Sequence, residues 1–123
     1  MDLDNPVINL CLAGTRAEFE GRRDDARALY EQAWDAATDD YEACIAAHYV
    51  ARFQDSAQQT LRWNQGALDR AQGGEGQGDA RIGPFFPSLY LSLGRAYETF
   101  GEPAKAQQYY GLAAELDVTH EAP

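Results

Sequence analysis

Leu93-Gly94-Arg95-Ala96-Tyr97-Glu98-Thr99-Phe100-Gly101-Glu102-Pro103-Ala104-Lys105-Ala106 is the stretch that decides the fold. Gly94 and Tyr97 are three residues apart and share one helix face. Gly101 breaks the pattern, and glycine can take the positive φ that ends a helix. Pro103 suits the first turn of a second helix, where its missing N–H costs little. Ala106, Tyr110 and Ala113 then recur at helical spacing. Small residues let two helix backbones approach closely, and the aromatics fill the space beside them. The stretch predicts an antiparallel helix pair.

The same offsets appear near the start, at Ala13, Gly14, Ala17, Gly21, Ala26, Tyr30 and Ala33. Internal repetition constrains architecture before any single motif does, and the usual product of a repeat array is a binding surface. The segment from Leu93 through Tyr97, Gly101–Ala106, Tyr110, Ala113 and Glu115-Leu116-Asp117 resembles the tetratricopeptide repeat (TPR) family. The earlier copy matches it too, with Ala17 where an aromatic is usual. Thr38 and Val118 stand where that family often has Pro. Shifted by the family period of about 34 residues, Gly14 falls on His48, Gly21 on Asp55, Ala26 on Thr60, Tyr30 on Asn64 and Ala33 on Ala67. Only Ala47 and Ala67 keep their character, so the middle copy is degenerate.

The resemblance implies an all-α fold: about three TPR-like antiparallel helix pairs in a right-handed superhelical stack. It makes residues 1–123 one domain, with repeats at about 7–38, 41–72 and 87–118. Local signals agree. Asn5-Pro6 reads as an N-cap and a first-turn proline, opening a helix to about Glu20. A second helix follows from about Asp24 to Ala37. Asp39 with Glu42, and Ser56 with Gln59, have capping-box spacing. They predict a third helix carrying Tyr41 to Phe53 and a fourth reaching about Gln72. Gly73-Gly74-Glu75-Gly76-Gln77-Gly78 should not hold a helix at about 1 kcal/mol per glycine, which predicts a flexible loop over 73–83. Helix five should begin at Pro87 or Ser88. Helix six should end near Asp117, with Thr119–Pro123 frayed.

The chain has 123 residues and a net charge of −10. Nucleic acid is a poor partner for such a surface, because binding it requires neutralised phosphates. No apolar run approaches the ~18 residues that span a bilayer. The acidic start, Met1 to Pro6, lacks the basic region of a secretory signal. Two cysteines, Cys11 and Cys44, are too few for a disulfide scaffold. Cytoplasmic residence is therefore expected.

Catalysis is not expected: two histidines and no nucleophile context leave no triad. Gly74-Glu75-Gly76-Gln77-Gly78 follows a helix, not a strand, and lacks a following Gly-Lys-Ser/Thr, so it reads as a linker rather than a phosphate cradle. Cys44 and His48 share a helix face, but a closed metal site needs more ligands. They read as core residues, and no metal or cofactor is expected.

Binding remains. In TPR stacks the first helix of each pair lines a concave groove. The resemblance implies groove positions at Thr15, Glu18 and Phe19, at Tyr49, Arg52 and Phe53, and at Ser88, Leu91, Arg95 and Glu98. Arg52 and Arg95 stand out in so acidic a chain. Each either receives a ligand carboxylate, for which a guanidinium offers two donors, or is neutralised by Glu18 or Glu98. Family members that clamp the acidic tail of chaperones use Lys, Asn and Arg; the matching places here hold Cys11, Thr15, Ala46, Ser88 and Ser92, and none is charged. The expected function is a non-catalytic protein- or peptide-interaction module. The alternative is a small ligand-sensing protein with a small molecule in the groove. Tyr109, Leu112 and Leu116 have the spacing of an apolar stripe on the last helix, which predicts a homodimer, packed through the last repeat or capped by the apolar 82–87 segment.

Overall fold

The computed structural model describes residues 4–121, with side chains described for residues 4–116. Its order is α1 (Pro6–Phe19), α2 (Arg23–Ala36), α3 (Asp40–Val50), a short 3-10 turn (Ala51–Phe53), α4 (Ala57–Gly76), a second 3-10 turn (Gly83–Phe85), α5 (Phe86–Phe100) and α6 (Pro103–Glu121). The described residues contain no strand, as the all-α reading expects. Helices α1 with α2, α3 with α4, and α5 with α6 pack most closely, as three hairpins. Helix α3 rests on both α1 and α2, whereas α5 rests on α4.

The helix starts follow from their caps. Asn5 Oδ1 accepts from the Val7 and Ile8 amides at 2.8 and 3.3 Å. Asp39 Oδ1 accepts from Glu42 N at 2.8 Å, and Ser56 Oγ from Gln59 N at 3.1 Å. These satisfy amides that a helix N-terminus otherwise leaves orphaned. Glu42 adds a longer-range tie by accepting from Asn5 Nδ2 at 2.8 Å, which fixes α3 to the start of α1.

The first and third hairpins are duplicates, displaced by 80 residues. Each helix-ending glycine sits at positive φ, 80° at Gly21 and 96° at Gly101. Each donates to the glutamate carbonyl before it: Gly21 N to Glu18 O and Gly101 N to Glu98 O, both 3.1 Å. In each, a tyrosine lies flat in the notch of a glycine one helix away. A Cβ on Gly14 would stand 2.4 Å from Tyr30 Cε1, and one on Gly94 would stand 2.6 Å from Tyr110 Cε1. In each, the tyrosine hydroxyl donates to a carboxylate, Tyr30 to Glu18 at 2.9 Å and Tyr110 to Glu98 at 2.7 Å.

The glycine-rich stretch corrects the expected loop. Helix α4 continues through Gly73, Gly74 and Gly76, about four residues beyond Gln72. Three helical glycines cost roughly 3 kcal/mol. Burial on the neighbouring segment offsets this. Ile82 is fully buried, and burying such a side chain is worth about 1.5–3 kcal/mol. It reaches that position only because Gly74 has no side chain; a Cβ there would lie 2.2 Å from Ile82 Cδ1. Arg81 lies 4.0 Å from the Tyr41 ring centre and meets Asp79 and Asp39 at 2.6 and 3.4 Å. Phe85 packs on Tyr41 at 6.1 Å. Tertiary packing thus overrides local propensity. The end of the chain departs as well: α6 runs to Glu121, and Ala122 and Pro123 of the tail expected to fray lie outside the described residues.

Gly14→Ala should lower stability by about 1–3 kcal/mol, the usual range for overpacking a tight contact. Gly66→Ala, on α4 where an added Cβ meets nothing, should raise it by about 0.5–1 kcal/mol. Urea unfolding of both variants checks this. A Gly14→Ala protein as stable as its parent would show that the glycine–tyrosine contact does not limit packing.

Candidate binding cleft between the second and third hairpins

Two adjoining cavities lie between α3 and α5. The larger is about 550 Å³, is lined by α3, α4, α5 and the 3-10 turn between α3 and α4, and is open to solvent. The smaller is about 120 Å³ and is lined by Cys44, Ile45, Tyr49, Phe85 and Leu89. His48 and Ser88 border both, so the two form one seam.

The seam lies where the repeat fails. His48, Asp55, Thr60 and Asn64, which stand where the first copy has Gly14, Gly21, Ala26 and Tyr30, all line the larger cavity. In the first hairpin the Tyr30 ring fills the joint to the next helix, stacking on Tyr49 at 5.0 Å and meeting Phe53 at 5.8 Å. In the second hairpin that position holds Asn64, whose Nδ2 turns back to Thr60 O at 2.9 Å. A short amide cannot span the joint to α5, and the joint stays open.

Of the expected groove residues, the cleft gathers Arg52, Ser88, Leu91 and Arg95, and the smaller cavity takes Tyr49. The others are placed elsewhere. Thr15 Oγ1 bonds Cys11 O at 3.0 Å and lies 3.2 Å from the Tyr30 hydroxyl. Glu18 is held by Tyr30 and Arg52. Phe53 is buried under Tyr30, with Arg23 stacked 5.0 Å from its ring centre. Phe19 is 94% exposed and borders neither cavity. Glu98 turns away to Tyr110. The apolar stripe also lies differently. Tyr109 stacks on Tyr97 at 5.5 Å and 5°, Tyr109 and Leu116 pack against the core, and Leu112 is half-buried. Among the described residues the exposed large apolar side chains are instead Leu12, Phe19 and Phe100.

The two arginines differ. Arg52 is committed to Glu18, with Nε 3.1 Å from Oε1 and Nη2 closing a second bond to Oε2. The guanidinium and the Tyr30 hydroxyl hold the Glu18 carboxyl below its ordinary value despite opposing desolvation. Burial pushes the Tyr30 phenol up to about 12, so it stays a donor. Arg95 is exposed at the cleft wall, and no carboxylate among the described residues is within ion-pair distance of it. Asp55, the cleft's carboxylate, is 3.6 Å from Arg27. Hydroxyl and amide groups of Thr60, Asn64, Ser88 and Ser92 complete a lining suited to an anionic, hydrogen-bonding guest.

Both cysteines are buried, and burial pushes each thiol up to about 12, so neither is a thiolate near neutral pH. Cys44 Sγ donates to Tyr41 O at 3.2 Å. No cluster of metal-ligating side chains occurs among the described residues, and no helix there is long and apolar enough to cross a membrane.

His48 was legible only as a misfit. Its Nδ1 is buried with no partner among the described residues. Desolvation first, and then the Arg52 charge, hold its pKa below the ordinary value. The folded chain therefore binds fewer protons than the unfolded chain between the folded value and about 6.5. The stability present above that window is lost as pH falls through it. Glu18 and Glu42 are held below the usual carboxylate range and act only at lower pH. Melting temperature should fall as pH drops from about 7 to about 5.5, and His48→Gln should flatten the slope. Identical slopes for the two proteins would remove His48 from the account.

Comparison with protein-family models, curated proteins and solved structures returns no match to this chain.

Proposed function

We propose that this chain is a non-catalytic interaction module that holds an acidic peptide segment of a partner protein in the cleft between its second and third hairpins. The resemblance to TPR stacks, which present a groove to peptides, supports the reading. The observation that carries it is the joint left open by Asn64, with Arg95 on its wall lacking a carboxylate of its own. Arg95 provides the charged anchor, and Thr60, Asn64, Ser88 and Ser92 bond the peptide backbone. Arg52 stays with Glu18 and serves to shape the cleft floor.

The overall charge of −10 does not forbid an acidic guest. Charges farther than about 8 Å are largely screened at physiological salt, whereas a direct charge-assisted bond is worth about 1.5–3 kcal/mol. A small carboxylic acid is the second reading, because about 550 Å³ also lies in the range of small-ligand pockets.

Affinity capture from native extract, followed by fluorescence titration with labelled decapeptides of the recovered partner, tests the proposal. Arg95→Ala should weaken acidic peptides about 10- to 100-fold, as loss of one such bond implies. Unchanged recovery and affinity with Arg95→Ala would sink it. Full competition by free glutamate or aspartate would favour the small-ligand reading. Filling the joint is a second check. Asn64→Tyr combined with His48→Gly restores the glycine–tyrosine pairing and should close the cleft to peptide, and the pair should be more stable than the sum of the single changes by roughly 0.5–3 kcal/mol.

A further inference from the structure

The third hairpin repeats a surface whose occupant is visible elsewhere in the same molecule. On the first hairpin the Glu18–Tyr30 couple is covered by the end of α3 and the turn after it. Tyr49 stacks on Tyr30 at 5.0 Å and 20°, and Arg52 forks onto both Glu18 oxygens. Phe53 closes the edge at 5.8 Å. These three occupy one side of a helical stretch, since offsets of three and four recur on one face. Under that cover Tyr30 is only 1% exposed.

On the third hairpin the matching couple is Glu98 and Tyr110, on the same glycine notch and with the same hydroxyl-to-carboxylate bond. Here Tyr110 is half-buried and Glu98 is exposed. No ring stacks on Tyr110 and no guanidinium bonds Glu98 among the described residues.

We propose that the Glu98–Tyr110 face is a docking site for a helix of another protein that presents an aromatic residue and, three positions on, an arginine. The arginine takes the Glu98 carboxylate, as Arg52 takes Glu18, and the aromatic stacks on the Tyr110 ring, as Tyr49 does on Tyr30. Charge complementarity fits a basic partner, since the chain carries −10 overall. The chain's own Tyr49 and Arg52 are already engaged in cis, so a second copy is not the occupant. One element differs from the template: Arg95 replaces Thr15 beside the couple, and its charge favours partners whose neighbouring residue is acidic.

The probe is a peptide of residues 40–54 of this chain, which carries Tyr49, Arg52 and Phe53. It is cross-linked between positions 43 and 47, on the side away from those residues, because a helix this short is marginal alone. Calorimetric titration into the full chain should show one-to-one binding. Glu98→Ala, at an exposed position, should leave the circular dichroism spectrum unchanged and weaken binding at least 10-fold. The peptide with R52A should lose as much, and combining the two changes should cost no more than either alone. Binding that ignores Glu98→Ala, or no binding of the probe to the parent chain, would overturn the proposal. So would concentration-dependent self-association in sedimentation that Glu98→Ala abolishes, because a second copy would then be the occupant. Arg95→Ala separates this face from the cleft: removing a cation beside the couple should leave probe affinity undiminished or raise it, while it weakens acidic peptides.

Discussion

Contact between a glycine notch and a tyrosine ring governs both levels of this structure. Within a hairpin, Tyr30 on Gly14 and Tyr110 on Gly94 set how closely the two helices lie, because the ring occupies the space a Cβ would need. Between hairpins, the opposite face of the Tyr30 ring is the floor on which Tyr49 and Phe53 of the next element rest. One side chain therefore couples pairing to stacking. Its hydroxyl, aimed at Glu18, places a carboxylate where Arg52 can meet it. Removing the tyrosine at one copy cannot be a local event. At Asn64 it frees the joint, α5 rests on α4 instead of closing on α3, and the cavity follows.

Why His48 occupies the glycine position is part of the same constraint. A histidine there is incompatible with a tyrosine seated on it, so the two departures belong together. The imidazole is left with an unpartnered buried Nδ1, and leaving such a group unmet costs about 1–3 kcal/mol. Edge contact with Tyr49 at 5.6 Å offsets only part of this, since an aromatic pair adds about 0.5–1.5 kcal/mol. The second hairpin is thus less favourably packed than its neighbours, and the open joint beside it is where that cost falls.

Much of the fold was legible because it rests on local chemistry. The caps at Asn5, Asp39 and Ser56, the positive-φ glycines at 21 and 101, and the small-residue notches all act within a few residues of sequence. The helix through Gly73–Gly76 was not legible, because its neighbours are Ile82 and Asp40, which the order of the sequence alone does not bring against it. The cleft was half legible. Periodicity along α5 separates Ser88, Leu91 and Arg95 from the core, but it puts Glu98, seven residues after Leu91, on the same side, and only its bond to Tyr110 on α6 takes it from the cleft. Thr60 and Asn64 were missed because only the first helix of each pair was expected to line a groove. The signal was nevertheless present: His48, Asp55, Thr60 and Asn64 are the places where the repeat lapses, and reading the lapse as decay hid the cavity they line.

Charge follows the same repeat. Glu18, Arg52 and Glu98 hold equivalent positions in successive hairpins, so the sign alternates from one to the next. The first step is closed, Glu18 against Arg52. The second is not, because the open joint separates Arg52 from Glu98 and each turns to its own hairpin or the one before it. Arg95, a cation on the wall of the joint, and Glu98, an anion on the last hairpin, are both left without an ion-pair partner among the described residues. In the readings proposed above the two surfaces have opposite preferences: a segment rich in carboxylates suits the first and not the second. The separation of the two proposed surfaces traces to one missing tyrosine, at Asn64.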